Sequence, residues 1–359
     1  MKGLIMSVKN VGLGSIHNFN WNWRLEDLDS VKKNNKTVFS CFSCGGGSSM
    51  GYKLAGYTVF GNCEIDPRVN AVYKANNHPF YSFDGDIRDF LSVPDEDLPQ
   101  ELFSLDILDG SPPCSVFSMA GKREDGWGRE KVFREGQAEQ RLDDLFFYFI
   151  DVAEKLKPKI VIAENVKGLV LGNAKGYVNL IIKKFNEAGY DVQVFLLNSA
   201  LMGVPQARER VFFVARQTKL CLKDLEMSFS EKPIRFGEIR SETGGNASKK
   251  DIELLKKRKY NDKSIADINL RIKGKNIGFT SPILSDSRVA PTLTSAGKAY
   301  RMFDGMPLSV SDIKSIQTFP QDYDFGKEDP KYIAGMSVPP VMMAQVANEV
   351  YKQWLKGIE

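Results

Sequence analysis

The 359 residues can hold one large domain with a substantial core and a smaller one beside it, and the composition is that of an ordinary soluble globular chain. No apolar run reaches the roughly 18 residues of a spanning helix, and the N-terminus has no signal-peptide layout, so a cytoplasmic protein with no membrane partner is expected. Five cysteines, few and odd in number, argue against a disulfide framework, and the net charge of +4 hides an uneven spread, since 216–280 carries 16 Lys and Arg against 9 Asp and Glu. That surplus suits a module for a polyanion, although a solvated lysine-rich surface gives the same count.

Residues 1–36 carry Trp21, Trp23 and a charged run with weak periodicity. They are expected to form an N-terminal extension with one helix around 26–33. Residues 37–43 have the pattern of a buried strand and run into a glycine turn at 44–51, then a helix to Leu54. Strand, glycine turn and helix open a nucleotide-binding α/β unit, because glycines let a ligand approach the backbone and the helix N–H groups then face it. Residues 58–64 are the second strand and end at Glu64, placed to accept two ribose hydroxyls or simply to charge a helix start. A helix follows at 67–76. Asp86, after a weak strand, offers a second carboxylate suited to an adenine amine, or is only a turn aspartate.

Residues 104–109 are the strand that delivers Pro112, Pro113 and Cys114. A thiol in a loop stiffened by two prolines at a strand end suits a nucleophile better than a core position. Only His17 and His78 exist, which leaves little support for a Cys–His pair. The glycine- and charge-rich 119–136 segment reads as a mobile loop. An amphipathic helix follows at 141–156 and a buried strand at 159–164. The latter ends in Glu164-Asn165-Val166, on the edge that Cys114 shares in an open parallel sheet. A helix at 178–188 and strands at 191–198 and 211–215, joined by a return at 201–210, complete a doubly wound α/β sheet. The pattern breaks at Arg216 into a basic stretch without apolar period. A helix at 309–317 precedes 335–340, which leads into a C-terminal helix with Met342, Val346, Val350 and Trp354 on one stripe. Cys41 and Cys44 form a lone CxxC; with no second pair, neither a zinc site nor a redox pair is favoured.

These residues, in this order, resemble the DNA cytosine-5 methyltransferases of bacterial or phage restriction-modification type over nearly all of 37–355. The stretch 42–51 is similar to the S-adenosylmethionine loop, and Glu64-Ile65 and Asp86-Ile87 to the ribose and adenine contacts. Pro112-Pro113-Cys114 with Phe117-Ser118 is similar to the nucleophile loop, and Glu164-Asn165-Val166 to the catalytic glutamate motif. Gln206-Ala207-Arg208-Glu209-Arg210 matches Q-x-R-x-R. Residues 291–294 resemble the motif after the recognition domain, and 335–338 the closing G-N-S-V. Three positions depart. Cys44 stands for the first loop glycine, where a Cβ crowds the cofactor or imposes a different turn. Ser115 stands for glutamine beside the flipped base, and Met336 for asparagine near the cofactor.

The resemblance implies a Rossmann-like S-adenosylmethionine-dependent methyltransferase sheet with a smaller DNA target-recognition domain. The implied division is 1–36 extension, 37–215 catalytic domain, 216–300 recognition domain, and 301–359 hinge and C-terminal helix. It implies Cys114 as nucleophile on carbon 6 of a flipped cytosine in double-stranded DNA, with Glu164, Arg208 and Arg210 around the base. Phe42, Ser43, Gly46, Gly47, Glu64, Ile65, Asp86, Ile87, Pro113, Ser337 and Val338 are the implied cofactor contacts. No metal is implied. A monomer is expected, with any cognate restriction endonuclease acting separately. Three rivals remain: a tRNA cytosine-5 methyltransferase of the same superfamily, since the basic insert is short for a DNA reader; a dinucleotide-dependent oxidoreductase, supported only by the glycine turn and Glu64; and a DNA-binding protein whose catalysis is lost, which Cys114, Glu164 and Arg210 speak against while Cys44 and Met336 keep it open.

Overall fold

The computed structural model describes residues 5–7, 17–113, 130–131, 140–141, 144–171, 175–274 and 281–358. Eight strands form the main sheet, in the order Ile5–Ser7, Tyr190–Asn198, Glu209–Gln217, Ile160–Val166, Ile107–Gly110, Thr37–Cys41, Thr58–Glu64, Tyr81–Asp84. Glu209–Gln217 runs antiparallel to both neighbours, and every other pairing is parallel. The chain builds outward from Thr37–Cys41 in one direction, then crosses back to Ile107–Gly110 and builds in the other. The switch point therefore lies between those two strands, where the crevice at the carboxyl ends of an α/β sheet receives ligands. There Cys41 pairs with Gly110.

A parallel sheet covered on both faces needs apolar residues at successive positions. In Ile160–Val166, Val161 and Ala163 face one layer, and Ile160 and Ile162 the other. The first layer holds the helices Leu145–Leu156 and Lys175–Glu187, with Phe146 edge-on to Phe213 at 5.2 Å. The second holds Gly47–Leu54 crossing Pro340–Val350. A Cβ on Gly51 would lie 2.4 Å from the Pro340 carbonyl, so the glycine sets how closely those helices cross. Met342, Val346, Val350 and Trp354 form the expected buried stripe, although Trp354 sits in a π-helical turn, Tyr351–Leu355.

Several boundaries differ from the sequence expectation. The strand expected at 104–109 is Ile107–Gly110, because Gln100–Ser104 winds into a 3-10 turn after Pro99. The described helix expected at 141–156 is Leu145–Leu156. The helix expected at 26–33 is a 3-10 helix, Leu25–Ser30, while Ile5–Ser7 adds a strand beside Tyr190–Asn198. Trp23 anchors this extension: its indole N–H donates to the Thr318 carbonyl at 2.9 Å inside a third apolar cluster with Ile316, Phe319 and Ile333.

The basic segment is not one body. Leu225, Met227 and Phe229 pack with the main sheet. Ile234, Phe236 and Ile239 join the third cluster. The helices Lys249–Leu255 and Ile265–Lys273 share a small core of Leu255, Ile268, Ile283 and Tyr300. Both carry capping boxes, Ser248 with Asp251 and Ser264 with Asp267. Arg301, fully buried, pairs with buried Asp312 at 3.4 Å and ties this part to the helix Val310–Gln317. Among the described residues no helix is long and apolar enough to cross a membrane.

Candidate active site

Thr37–Cys41 ends in a loop that folds back sharply. Phe42, Cys44 and Gly46 have φ of 53°, 47° and 82°, all left-handed. Gly46 caps Gly47–Leu54, and a Cβ there would lie 2.2 Å from Asn77 Nδ2 as well as strain the backbone. Cys44 keeps the angle that a glycine takes freely, at a cost of about 1–2 kcal/mol for an L side chain. Its Sγ lies 3.9 Å from the Ile333 carbonyl. Gly47 is required for a different reason: its Cβ would meet the Val338 carbonyl at 2.2 Å. The glycine thus lets the closing segment 337–338 sit directly on the start of the helix.

Ser40, Phe42, Ser43, Cys44, Gly47, Ser48, Ser111, Met336, Ser337 and Val338 line one cleft at the switch point. Five of the expected cofactor residues, Phe42, Ser43, Gly47, Ser337 and Val338, are therefore brought together. Glu64 fastens the loop beside them: Cys44 N donates to its Oε2 at 2.8 Å and Asp66 N to its Oε1 at 3.0 Å. Burial pushes its carboxyl pKa up, against the pull of those donors. Ile65 is half-exposed, whereas Ile87 is buried with Phe90 in the sheet core. Asp86 caps the helix Ile87–Ser92 and is held by the Arg88 guanidinium at 2.6 and 2.9 Å. Burial works against its charge, but Arg88 outweighs it and holds the carboxyl below the usual range.

Cys114 lies outside the described residues, as do Ser115, Phe117, Ser118, Lys122, Arg123 and Arg129, the side chain of Lys131, and most of 119–136. The approach to it is described. Ser111 N donates to the Cys41 carbonyl at 3.4 Å, and the Asn165 side chain donates to the buried Pro112 carbonyl at 3.0 Å. Pro113, half-buried, follows. Asn165, unassigned from the sequence beyond its place in the glutamate motif, thus pins the proline loop to the strand that carries Glu164.

Glu164 and Arg210 are 9% and 14% exposed, and Arg210 Nε lies 2.7 Å from Glu164 Oε1. They are diagonal neighbours on antiparallel strands, Arg210 pairing with Val166 and Phe212 with Glu164. The contact is an ion pair without an aligned hydrogen bond, which leaves Oε1 a buried acceptor with spare capacity among the described residues. Burial lowers the Arg210 pKa, and the Glu164 charge offsets only part of that effect. Arg208 is placed differently from the expectation that it holds the glutamate or the base. Its guanidinium donates to the carbonyls of Leu293 at 3.2 Å and Gly335 at 3.1 Å, in full burial. It clasps the segment at Leu293, which follows the basic part, to the segment that closes the cleft.

One group went unnoticed in the sequence. Asp109 is 1% exposed, two hydroxyls donate to it, Ser40 Oγ at 2.7 Å and Tyr52 at 3.2 Å, and burial pushes its pKa up to about 7. Its position in the apolar run toward the proline loop was the available signal: a carboxylate within an otherwise buried strand.

The arrangement can be compared with known proteins. The family described as C-5 cytosine-specific DNA methylase matches residues 36–352. The type II methyltransferase M.NgoPII of Neisseria gonorrhoeae is 33% identical over 210 residues, 57% of this chain and 54% of that protein, so the match spans about half of the relative's length. The type II methyltransferase M1.HphI of Haemophilus parahaemolyticus is 27% identical over 337 residues, 88% of this chain and 87% of that protein. A structure assigned as a DNA modification methyltransferase encoded within an E. coli prophage shares the fold, with a TM-score of 0.68 at 17% identity over 89% of this chain and 99% of its own. With the match running across the cofactor loop, the Glu164–Arg210 pair and the closing segment, the chain belongs to the C-5 cytosine-specific DNA methylase family.

Proposed function

We propose that the chain is a DNA (cytosine-5)-methyltransferase that transfers a methyl group from S-adenosylmethionine to carbon 5 of a flipped-out cytosine in double-stranded DNA. The observation that carries this reading is the buried Glu164–Arg210 pair at the end of the strand beside the proline loop, on the sheet edge that holds the glycine-walled cleft. The cleft residues fit the cofactor. Glu64 keeps lone pairs for ribose hydroxyls, and the start of Gly47–Leu54 offers backbone N–H groups to a carboxylate. When bound, the cofactor supplies an electrophilic methyl at its sulfonium.

The protein's own groups make carbon 5 able to take it. The Cys114 thiolate adds to carbon 6, forming the S–C6 bond, and the electron pair displaced into the ring raises the nucleophilicity of carbon 5. Glu164, held by Arg210, hydrogen-bonds the ring nitrogen and exocyclic amine and stabilises the charge that develops. After carbon 5 has been methylated, a base removes its proton, the S–C6 bond breaks and Cys114 leaves as thiolate. Arg208 acts at a distance, by clasping the two segments that frame the site.

The division proposed from this reading is a catalytic body at 37–215, a DNA-reading part within 216–300, a hinge and returning helix at 301–359, and the 1–36 extension. Phosphate contacts from the basic part make DNA binding strongly salt-dependent. The setting is cytoplasmic DNA marking or restriction-modification by a monomer, any cognate endonuclease acting separately. Expression in a methylation-deficient host followed by bisulfite sequencing tests the activity. Folded protein with no modified cytosine refutes it, and methylation of tRNA instead selects the alternative substrate. A duplex carrying 5-fluorocytosine at the discovered site should trap a covalent complex that Cys114→Ala abolishes.

A further inference from the structure

We propose that Asp109 is the buried counter-charge of the cofactor cleft, the group that makes the site prefer the cationic cofactor S-adenosylmethionine to its uncharged-sulfur product S-adenosylhomocysteine. This rests on the methyltransferase reading and assigns a specificity role within it.

The geometry is as follows. Asp109 lies on the strand that delivers the proline loop, 1% exposed, and pairs in register with Ser40. Ser40 lines the cleft and donates its hydroxyl hydrogen to Asp109 Oδ2 at 2.7 Å. One hydrogen bond thus separates the carboxylate from the ligand space. Tyr52, on the helix that begins at the cofactor loop, donates to Oδ1 at 3.2 Å. No Lys, Arg or His among the described residues forms an ion pair with Asp109. Buried carboxylates are ordinarily paired with a cation. Here the place for one is the cleft, and a sulfonium is a cation that the reaction itself removes.

The hydroxyl relay sharpens this. With Asp109 ionised, both hydroxyls point their hydrogens at it, so Ser40 presents lone pairs to the cleft. With Asp109 protonated, its own hydrogen can go to Ser40, and Ser40 then turns a donor toward the cleft. A cationic ligand is served by the first state. Methyl transfer removes the sulfonium charge, so the same carboxylate then holds the product less tightly.

The groups that face Asp109 from neighbouring elements leave it as the one that titrates near neutrality. Burial pushes Cys41, Tyr52 and Tyr73 up, so they stay neutral there. Glu164, whose charge repels the ionisation of Asp109, is paired with Arg210. Burial raises Asp109 to about 7, so a cation arriving in the cleft has a proton to displace.

The test is calorimetric binding of S-adenosylmethionine and of S-adenosylhomocysteine, without DNA, to the full chain and to Asp109→Asn. The expected result is a wild-type affinity ratio that favours S-adenosylmethionine more by roughly tenfold at about pH 8 than at about pH 6, the scale of a partly screened charge pair several ångströms apart. Asp109→Asn should hold the low-pH ratio throughout. Proton release on S-adenosylmethionine binding near neutrality, read in two buffers of different ionisation enthalpy, should be lost with it. A ratio in Asp109→Asn equal to wild type at both pH values, or a wild-type ratio that does not change with pH, overturns the assignment while S-adenosylhomocysteine binding upholds the enzyme class. Wild-type protein that binds neither ligand overturns both. Tyr52→Phe gives a second measurement should Asp109→Asn fold poorly. It removes one donor that favours the ionised form, so the rise in the ratio should move to higher pH, and an unmoved rise refutes the inference.

Discussion

Asp109→Asn also has a consequence for the stability of the protein without ligand. The side chain is 1% exposed, and its pKa is about 7 in the fold against an ordinary 3.8. The folded state therefore holds the proton longer than the unfolded chain. The sign follows: the stability contribution is complete below about pH 4, is lost progressively as pH rises to about 7, and is flat above that. A shift of about three pH units corresponds to about 4 kcal/mol at pH 8 but only about 2 kcal/mol at pH 5, where the unfolded chain has released its proton over a shorter range. Asparagine copies the protonated acid in size and can still bond Ser40 and Tyr52, so the substitution removes the ionisation cost and little else. For 359 residues, at about 2 cal/mol/K of unfolding entropy per residue, 4 kcal/mol is about 5 °C in Tm. Asp109→Asn should therefore melt about 5 °C above wild type at about pH 8, with the gain shrinking by about half at about pH 5. Thermal melts across that range, followed by calorimetry, check it. An equal gain at both ends, or a variant less stable than wild type at the alkaline end, would refute the reasoning.

Glu164→Gln leaves Arg210 buried without a counter-charge and should cost about 3–5 kcal/mol in denaturant unfolding, together with about 100-fold or more in methyl transfer. Glu164→Gln with Arg210→Met should recover stability without recovering activity. Gly47→Ala puts a Cβ 2.2 Å from the Val338 carbonyl, so the closing segment must move; S-adenosylhomocysteine affinity should fall and unfolding should cost about 1–3 kcal/mol. Arg208→Lys cannot reach both the Leu293 and Gly335 carbonyls with a fork, so about 2 kcal/mol of stability should go while 5-fluorocytosine trapping survives. Loss of trapping with unchanged stability would return Arg208 to the base.

How much of this was legible in the sequence depends on the distance over which each feature is decided. The strand expected at 58–64 is Thr58–Glu64 in the structure, because a covered parallel strand declares itself through its own side chains. Glu164 lies near the carboxyl end of its strand for the same reason, although Ile160–Val166 runs two residues past the expected end at 164. The first strand, Ile5–Ser7, was not legible: its partner is Tyr190–Asn198, and nothing in three residues announces a mate that far along the chain. The two helices of the basic part were missed where apolar periodicity was sought, although Ser248 with Asp251 and Ser264 with Asp267 are local capping signals.

Arg208 and Arg210 make the sharpest contrast, because the motif presents them as equivalents two residues apart. Arg210 lies within the strand Glu209–Gln217 and Arg208 just before it, so strand alternation does not carry the two to one face. What separates them is the surroundings of each. Arg210 finds a carboxylate on the adjacent strand, whereas Arg208 finds two backbone carbonyls contributed 85 and 127 residues later. A buried guanidinium held by neutral oxygens retains most of the cost of its desolvation, and for Arg208 the nearby Arg210 charge adds to that cost. Such a residue is poorly suited to add binding energy for a base. It is well suited to fix a geometry, because the fork engages both carbonyls only when the segment at Leu293 and the segment closing the cofactor cleft are in place together. The same logic applies to Asp109, whose ionised form the fold disfavours and the cofactor's charge would favour. In both cases an ionisable group held against its solvation preference marks a junction between parts of the site, and those junctions depend on contacts that no local pattern encodes.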